Sequence, residues 1–311
     1  MDRRAAGLAA FVALIWGLCF VLIQASLPSP APLLLAGLRA LIGGGVLAAW
    51  ITLGRWRPGT RRSGAEPARR ASWRAGLPST SLLILLALAN ATVALGAMYL
   101  AASRAEAAVA SILAGGQPLI LTAAGWAIFG ERTSARAVAG LAIAMAGVVL
   151  VATTNSGTTS PDGAALSLLA TAAPAAGTVL MRRFGPGVDL LVTTSVQFLL
   201  GGAILLAVSA LLEPWSALSW SPGMLFGLLV LGVLGTGVAY VVWFSLLGRT
   251  SLVQLGTALF LVPVVGVVAG IVTGDRLAPV ELAGVVTVLV GMAIVSVRGT
   301  SRPSSEVRRI A

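Results

Sequence analysis

The chain reads as an all-α integral membrane protein: ten transmembrane helices arranged as two inverted five-helix repeats. Three observations carry this expectation. They are a series of long apolar runs, the placing of arginines between those runs, and a set of small motifs that recurs at one fixed shift. Of 311 residues, 58% are hydrophobic and 10% charged, against about 25% charged in an ordinary soluble protein. That balance excludes a water-soluble globular enzyme, and also a disordered chain, which needs low hydrophobicity and high charge. Histidine and lysine are absent, and the single cysteine, Cys19, has no partner for an internal disulfide. Histidine triads, HExxH zinc sites and histidine-held haem are thereby excluded, and no metal or cofactor is expected.

Crossing about 30 Å of hydrocarbon takes about 20 apolar residues in a helix, because lipid offers backbone groups no partner. Five such runs fill the first half: Gly7–Leu27, Pro32–Leu53, Leu77–Ala101, Glu106–Phe129 and Ala135–Thr154. Five more follow: Ala164–Met181, Val188–Leu212, Pro222–Leu246, Leu252–Thr273 and Ala278–Val297. The third and fourth are parted only at Ser103–Arg104, the eighth and ninth only at Gly248–Arg249. Fusing either pair gives a run too long for one crossing. The first run follows Arg3 and Arg4, as in a signal peptide. It is longer than the 7–15 residues or so of a cleaved signal and lacks an A-x-A site, so it is read as a retained span.

The 21 basic residues, all arginine, give a net charge of +11. They lie in clusters between apolar runs rather than along one folded face, which argues for membrane topology and against nucleic-acid binding. With the N-terminus inside, eighteen fall on the cytoplasmic side, including the seven from Arg55 to Arg74 and the four in the tail. Only Arg104 and Arg276 fall outside, and Arg39 lies within the second span. By the positive-inside rule both termini are cytoplasmic. The arginine-rich connection Gly54–Gly76 is read as a solvated topology signal rather than an anionic-lipid site.

The halves resemble each other. Gly130-Glu131-Arg132 is followed by Gly140 and Gly147, and Gly274-Asp275-Arg276 by Gly284 and Gly291 at the same spacing. Pro118 and Pro263 precede the two acids, and Tyr99–Arg104 matches Phe244–Arg249, all at a shift of 144–145 residues. Gly130 and Gly274 suit the left-handed turn that closes a helix. Each acid is then expected at the N-terminus of the next helix. Five spans per repeat turn the second copy upside down, so Glu131 is expected at the cytoplasmic face and Asp275 outside. The repeats are residues 7–154 and 164–297, followed by a cytoplasmic tail, 298–311. Inverted repeats characterise secondary transporters, whose two sides open alternately around a midplane site.

With these residues in view, the sequence resembles the EamA-like transporters of the drug/metabolite transporter superfamily. Ala239-Tyr240-Val241-Val242-Trp243-Phe244, Arg249-Thr250-Ser251, Leu261-Val262-Pro263 and Gly274-Asp275-Arg276-Leu277 carry the likeness in the second half. Trp16-Gly17, Leu38-Arg39, Pro118 and Gly130-Glu131-Arg132 carry it in the first. The resemblance implies a central cavity between the repeats, closed alternately toward each side. It also implies export of small metabolites, often amino acids or related compounds. Two departures stand out: Pro174 near the place of a typical tryptophan, and Gln197 where the first repeat has Arg39.

Polar residues inside the spans are the candidate substrate-binding groups. Arg39 suits either an anion-binding or gating role in a cavity, or a structural one, snorkelling outward or pairing with a helix end. Gln197 occupies the matching place, each four residues before a glycine pair. Trp16, Asn90, Tyr99, Gln117, Tyr240, Trp243 and Gln254 complete the set, with helix–helix hydrogen bonds or packing as the alternative for each. Pro118, with Gly115-Gly116-Gln117 softening the chain before it, and Pro263 are expected either to form a broken-helix substrate site or hinge or to kink their spans statically, freeing the carbonyls of Ala114 and Leu259. Glu106 and Glu281 are the candidates for proton coupling. A hydrolytic site lacks both lysine and a deep pair of carboxylates, and no GxxxxGK[ST] loop or charged ring is present. The expected activity is therefore secondary transport by alternating access, export of small organic metabolites, with no enzymatic chemistry. The alternative is a membrane-embedded lipid-acting enzyme, receptor or structural component. The lipid bilayer is the obligatory partner. The glycine faces of spans five and ten suit packing within one chain or in a homodimer.

Overall fold

The computed structural model describes residues 3–25, 30–54, 77–114, 116–130, 135–153, 160–184, 188–247 and 261–296. Among them all regular structure is helical. In chain order, α1 spans Arg3–Ala25, α2 Pro32–Gly54 and α3 Thr80–Ala102; then come α4 Ala107–Ala114, α5 Gln117–Phe129 and α6 Ala135–Thr153. In the second half α7 spans Pro161–Phe184 and α8 Leu190–Leu212, and α9 runs from Pro222 to Leu247. The last two are α10, Leu261–Thr273, and α11, Pro279–Ser296. Six helices are long and apolar enough to cross a membrane: α1, α2, α3, α7, α8 and α9. Shorter apolar stretches lie in α6, α10 and α11.

Local sequence sets the helix starts. Ser79, Asp189 and Ser221 accept from backbone N–H groups in the first turns of α3, α8 and α9, at 3.4, 3.0 and 3.1 Å. Such oxygen caps satisfy donors that a helix start leaves orphaned. The fourth run divides. Its Gly115-Gly116-Gln117-Pro118 stretch ends α4 at Ala114 and starts α5 at Gln117, with Gly116 in a turn. Pro118 is thus the second residue of a new helix, where its missing N–H costs nothing, rather than a kink inside a continuous one. The carbonyl engaged across the break is that of Leu113, where the sequence pointed to Ala114. It accepts from Gly116 N–H at 3.1 Å and from the Thr171 hydroxyl of α7 at 3.2 Å.

α7 lies alongside α4 and α5. Gly163 sits against Arg104, Thr171 meets Leu113, and the Arg182 guanidinium stands 4.2 Å over the Phe129 ring. From Gly163 to Arg182 is about 28 Å of helix, close to the hydrocarbon thickness of a bilayer. The start of α4 and the end of α5 therefore lie at opposite ends of the bundle.

Gly130 and Gly274 have φ of 64° and 113°, the positive-φ glycines among the described residues. At Gly274 the chain closes α10 with a Schellman pair: Asp275 N–H donates to the Gly270 carbonyl and Gly274 N–H to that of Ile271. Asp275 does not serve the start of the following helix, as the sequence suggested. Its carboxylate accepts from Ala108 N–H at 2.8 Å and so caps α4. The start of α11 has its own cap, Glu281, which accepts from Ala278 N–H at 2.8 Å in the manner of a capping box. Gly274 thus lies at the α4 end of the bundle and Gly130 at the other. Glu131, the other acidic corner, is outside the described residues.

Two antiparallel helix pairs hold the halves together. In α6 and α11, a Cβ on Gly147 would stand 2.8 Å from the Gly284 carbonyl and 2.7 Å from Val288 N. A Cβ on Gly291 would crowd the Gly140 carbonyl and Ala144 N in the same way. These glycines accordingly pack within one chain. In α2 and α8, Gly37 meets Gly202 while Gly44 meets Leu199, and the Ser195 hydroxyl donates to the Gly44 carbonyl at 2.9 Å.

Candidate functional site

Arg39 is the centre of the polar groups inside the bundle. Its side chain is 4% exposed, on the second turn of α2. The guanidinium does not reach an interface. Nε donates to Thr236 Oγ1 at 3.3 Å, Nη2 approaches Cys19 Sγ at 3.4 Å, and Nη1 approaches Met98 Sδ at 3.8 Å. The phenol of Tyr99, itself 1% exposed, adjoins the same group. Among the described residues no carboxylate is in ion-pair contact with Arg39. It is a buried cation held by neutral and weakly accepting neighbours.

Thr236 went unnoticed in the sequence, where it is one hydroxyl in a run of glycines and leucines. What presents it is a local change of helix type. α9 passes from α geometry into a π-helical segment, Val230–Val238, and back. The Thr236 hydroxyl donates to the Leu231 carbonyl five residues earlier, at 3.2 Å. Gly43 lets the two helices meet here, since a Cβ on it would overlap the Thr236 side chain. Such π segments inside α-helices recur at functional sites. α3 carries a second one, Leu88–Val93, with Asn90 inside it. The Asn90 amide donates to Gln197 Oε1 at 2.9 Å, and Gly177 of α7 leaves room for it. Gln197 is 5% exposed.

The aromatic candidates lie beside Arg39. Trp16 Nε1–H donates to the Gly235 carbonyl at 3.1 Å. The other face of Gly235 looks toward Arg39 Nη2 and Cys19 Sγ. The Trp16 ring centroid is 5.6 Å from those of both Tyr240 and Trp243, and Phe198 meets Tyr240 edge-on at 5.3 Å. Phe198 is a further member that the sequence did not single out, because a phenylalanine in an apolar span is ordinary packing and the polar Gln197 beside it stands out instead.

The remaining candidates stand elsewhere. Gln117 is half-buried at the first position of α5. Pro263 is buried in the first described turn of α10. Glu106 Oε1 accepts from Arg276 N–H at 3.2 Å, so Glu106 and Asp275 interlock α4 with the α10–α11 turn. Glu281 is fully buried as the cap of α11. Of the two proton-coupling candidates, Glu281 thus holds a helix start and Glu106 the turn that precedes it. Gln254 falls outside the described residues.

A bundle of apolar, membrane-length helices with a buried cation and an aromatic cluster at its interior defines an integral membrane protein. The profile of the EamA-like transporter family matches it twice, over residues 3–153 and 162–297, and the chain belongs to that family. It is 26% identical to "Uncharacterized transporter YvbV" of Bacillus subtilis (strain 168), covering 98% of this chain and 95% of the relative. It is 29% identical to "Probable amino-acid metabolite efflux pump" of Salmonella typhimurium, covering 98% and 100%, and 28% identical to "Protein PecM" of Dickeya dadantii, covering 90% and 88%. A crystal structure at 21% identity shares the fold, with a TM-score of 0.62 over 94% of this chain and 96% of that one.

Proposed function

We propose that the protein is a ten-span secondary transporter of small organic metabolites, built from inverted repeats at residues 7–154 and 164–297. It works by alternating access in a bacterial inner membrane, with both termini cytoplasmic. The observation that carries this reading is reciprocal packing. Gly147 faces Gly284 and Val288, while Gly291 faces Gly140 and Ala144, the same contacts with the two halves exchanged. Reciprocity of this kind is what a two-fold axis between equivalent elements produces. The polar junctions follow it too: Arg39 of α2 meets the π segment of α9, and Gln197 of α8 meets the π segment of α3. An axis in the membrane plane makes inward- and outward-open states near mirror images, the basis of alternating access in such folds.

Export of amino acids or related compounds is supported by two relatives, each named "Probable amino-acid metabolite efflux pump". Trp16, Arg39, Asn90, Tyr99, Gln197, Tyr240 and Trp243 are assigned to the substrate path, with Gln117 and Gln254 as its further members. Pro118 and Pro263 mark its hinges. No catalytic step is assigned. The test compares metabolites released by cells with and without the protein, followed by uptake into liposomes under imposed gradients without ATP. Release of particular metabolites that depends on the protein is expected. Identical profiles, together with liposomes that move nothing under any gradient, refute the reading.

A further inference from the structure

Resting on the transporter reading, we infer that Arg39, oriented by Thr236 at its Nε, forms a carboxylate hook with an aromatic wall beside it. The preferred substrates are then organic carboxylates with a flat apolar body. A guanidinium offers five N–H donors in a planar fork that matches a carboxylate. Here it is 4% exposed, and its neighbours are the Thr236 hydroxyl, the Tyr99 phenol, a thiol and a thioether, with no anion among the described residues. Sulfur atoms are weak acceptors, and buried charge is costly unless it is paired. The arrangement leaves the fork's strongest interaction to be made by an anion from outside the chain.

The apolar half of the specificity comes from Gly235. Its carbonyl fixes Trp16, and its other face looks toward Arg39 Nη2. Trp16, Tyr240, Trp243 and Phe198 therefore begin one residue away from the guanidinium, with ring centroids 5.3–5.6 Å apart along the chain of contacts. Tilted rings at such spacing touch one another and form a continuous apolar wall beside the guanidinium, against which the flat body of a substrate can pack. The corresponding junction in the other half, Asn90 with Gln197, is neutral and already satisfied by its own hydrogen bond. The charge asymmetry thus places anion recognition in one half only.

The test uses purified full-length protein in detergent, with 3-phenylpropionate, its neutral amide 3-phenylpropionamide, L-phenylalanine and acetate as probes. Binding is read from the thermal-unfolding midpoint and from titration of radiolabelled 3-phenylpropionate. The wild type is expected to bind 3-phenylpropionate and L-phenylalanine at least about tenfold more tightly than the amide, the scale of a charged hydrogen bond, and more tightly than acetate. Arg39→Gln is expected to abolish the preference for acid over amide. Arg39→Lys, which keeps the charge and loses the fork, is expected to retain part of it, and its native-like elution profile guards against a folding artefact. Equal binding of acid and amide, no binding of either aromatic carboxylate, acetate binding as well as 3-phenylpropionate, or a preference that survives Arg39→Gln each overturns the inference. Protein-dependent metabolite release from cells alongside any of these results leaves the transporter reading standing and removes only the hook.

Discussion

The reciprocal seam between α6 and α11 makes a quantitative prediction, because at Gly147 two of the three nearest atoms a new methyl would meet belong to backbone. A Cβ on Gly147 would lie 2.7 Å from Val288 N and 2.8 Å from the Gly284 carbonyl oxygen. Ordinary contact begins at about 3.5 Å, so Gly147→Ala forces the helices apart by roughly 0.8 Å, and backbone cannot swing aside. Overpacking of this kind costs about 1–3 kcal/mol, against a gain of at most about 1 kcal/mol from replacing glycine within a helix. With the full gain subtracted, a net loss of up to about 2 kcal/mol is expected. Gly291→Ala should act alike, since its Cβ would crowd Ala144 N and the Gly140 carbonyl. The double variant should cost less than the sum, because helices already parted accommodate the second methyl. Gly45→Ala in α2, with nothing within 4 Å of its added Cβ, is the control and should be neutral or mildly stabilising. Reversible unfolding in mixed micelles, read by far-UV circular dichroism, measures all four. If Gly147→Ala matches Gly45→Ala, or the paired losses simply add, the seam is not the close backbone contact described.

Four further outcomes follow from the same contacts. Asp275→Ala should lower the unfolding midpoint by removing the cap on Ala108, at a cost of about 1–2 kcal/mol, while Asp275→Asn, which keeps an acceptor, should recover most of it. Glu213 accepts from Leu33 and Leu34 N–H at 2.7 and 2.9 Å, so Glu213→Ala should destabilise the start of α2 by about 1–2 kcal/mol, seen as faster proteolysis near residue 30. Asn90→Ala and Gly177→Val should both impair transport, the second because its side chain would occupy the place of the Asn90 amide; a defect in Asn90→Ala with normal transport by Gly177→Val would contradict this. In a Cys19→Ser background, single cysteines at 130 and 275 should react with impermeant maleimide from opposite sides of the membrane, and labelling from one side would end the inverted reading.

How much of this was legible depends on the range of the interaction concerned. Six of the ten apolar runs appear as membrane-length helices because hydropathy and backbone satisfaction act locally. The break in the fourth run was legible: Gly115-Gly116-Gln117-Pro118 suggested a broken helix or hinge, and two helices, α4 and α5, meet there. Arg39, Trp16, Tyr99, Tyr240 and Trp243 stood out because polar or bulky groups deep in a span are costly or rare. Thr236 did not, since its importance comes from the π turn that presents it and from a partner 197 residues away. The service of Asp275 to α4, 167 residues away, was equally hidden. A cap that serves its own helix, as Glu281 does, is within reach of sequence rules, although the sequence offered Glu281 as a proton-coupling candidate; one that serves another helix is invisible.

The two halves share contacts but not chemistry, and the difference bears on mechanism. On the inverted-repeat reading, matching backbone seams make the two end states nearly equal in packing energy, since exchanging the halves exchanges one state for the other. Any bias must then come from residues that break the equivalence. Arg39 against Gln197 is the largest such break, a cation facing a neutral amide at corresponding places. A ligand shifts a conformational equilibrium only by its difference in affinity for the two states. An anion that meets Arg39 fully in one state and partly in the other supplies that difference, whereas a neutral analogue of the same shape supplies little. Gln197→Arg would give both halves a cation. It should weaken the discrimination between states more than it weakens binding itself, and exchange of labelled substrate across liposomes should then persist while net export falls.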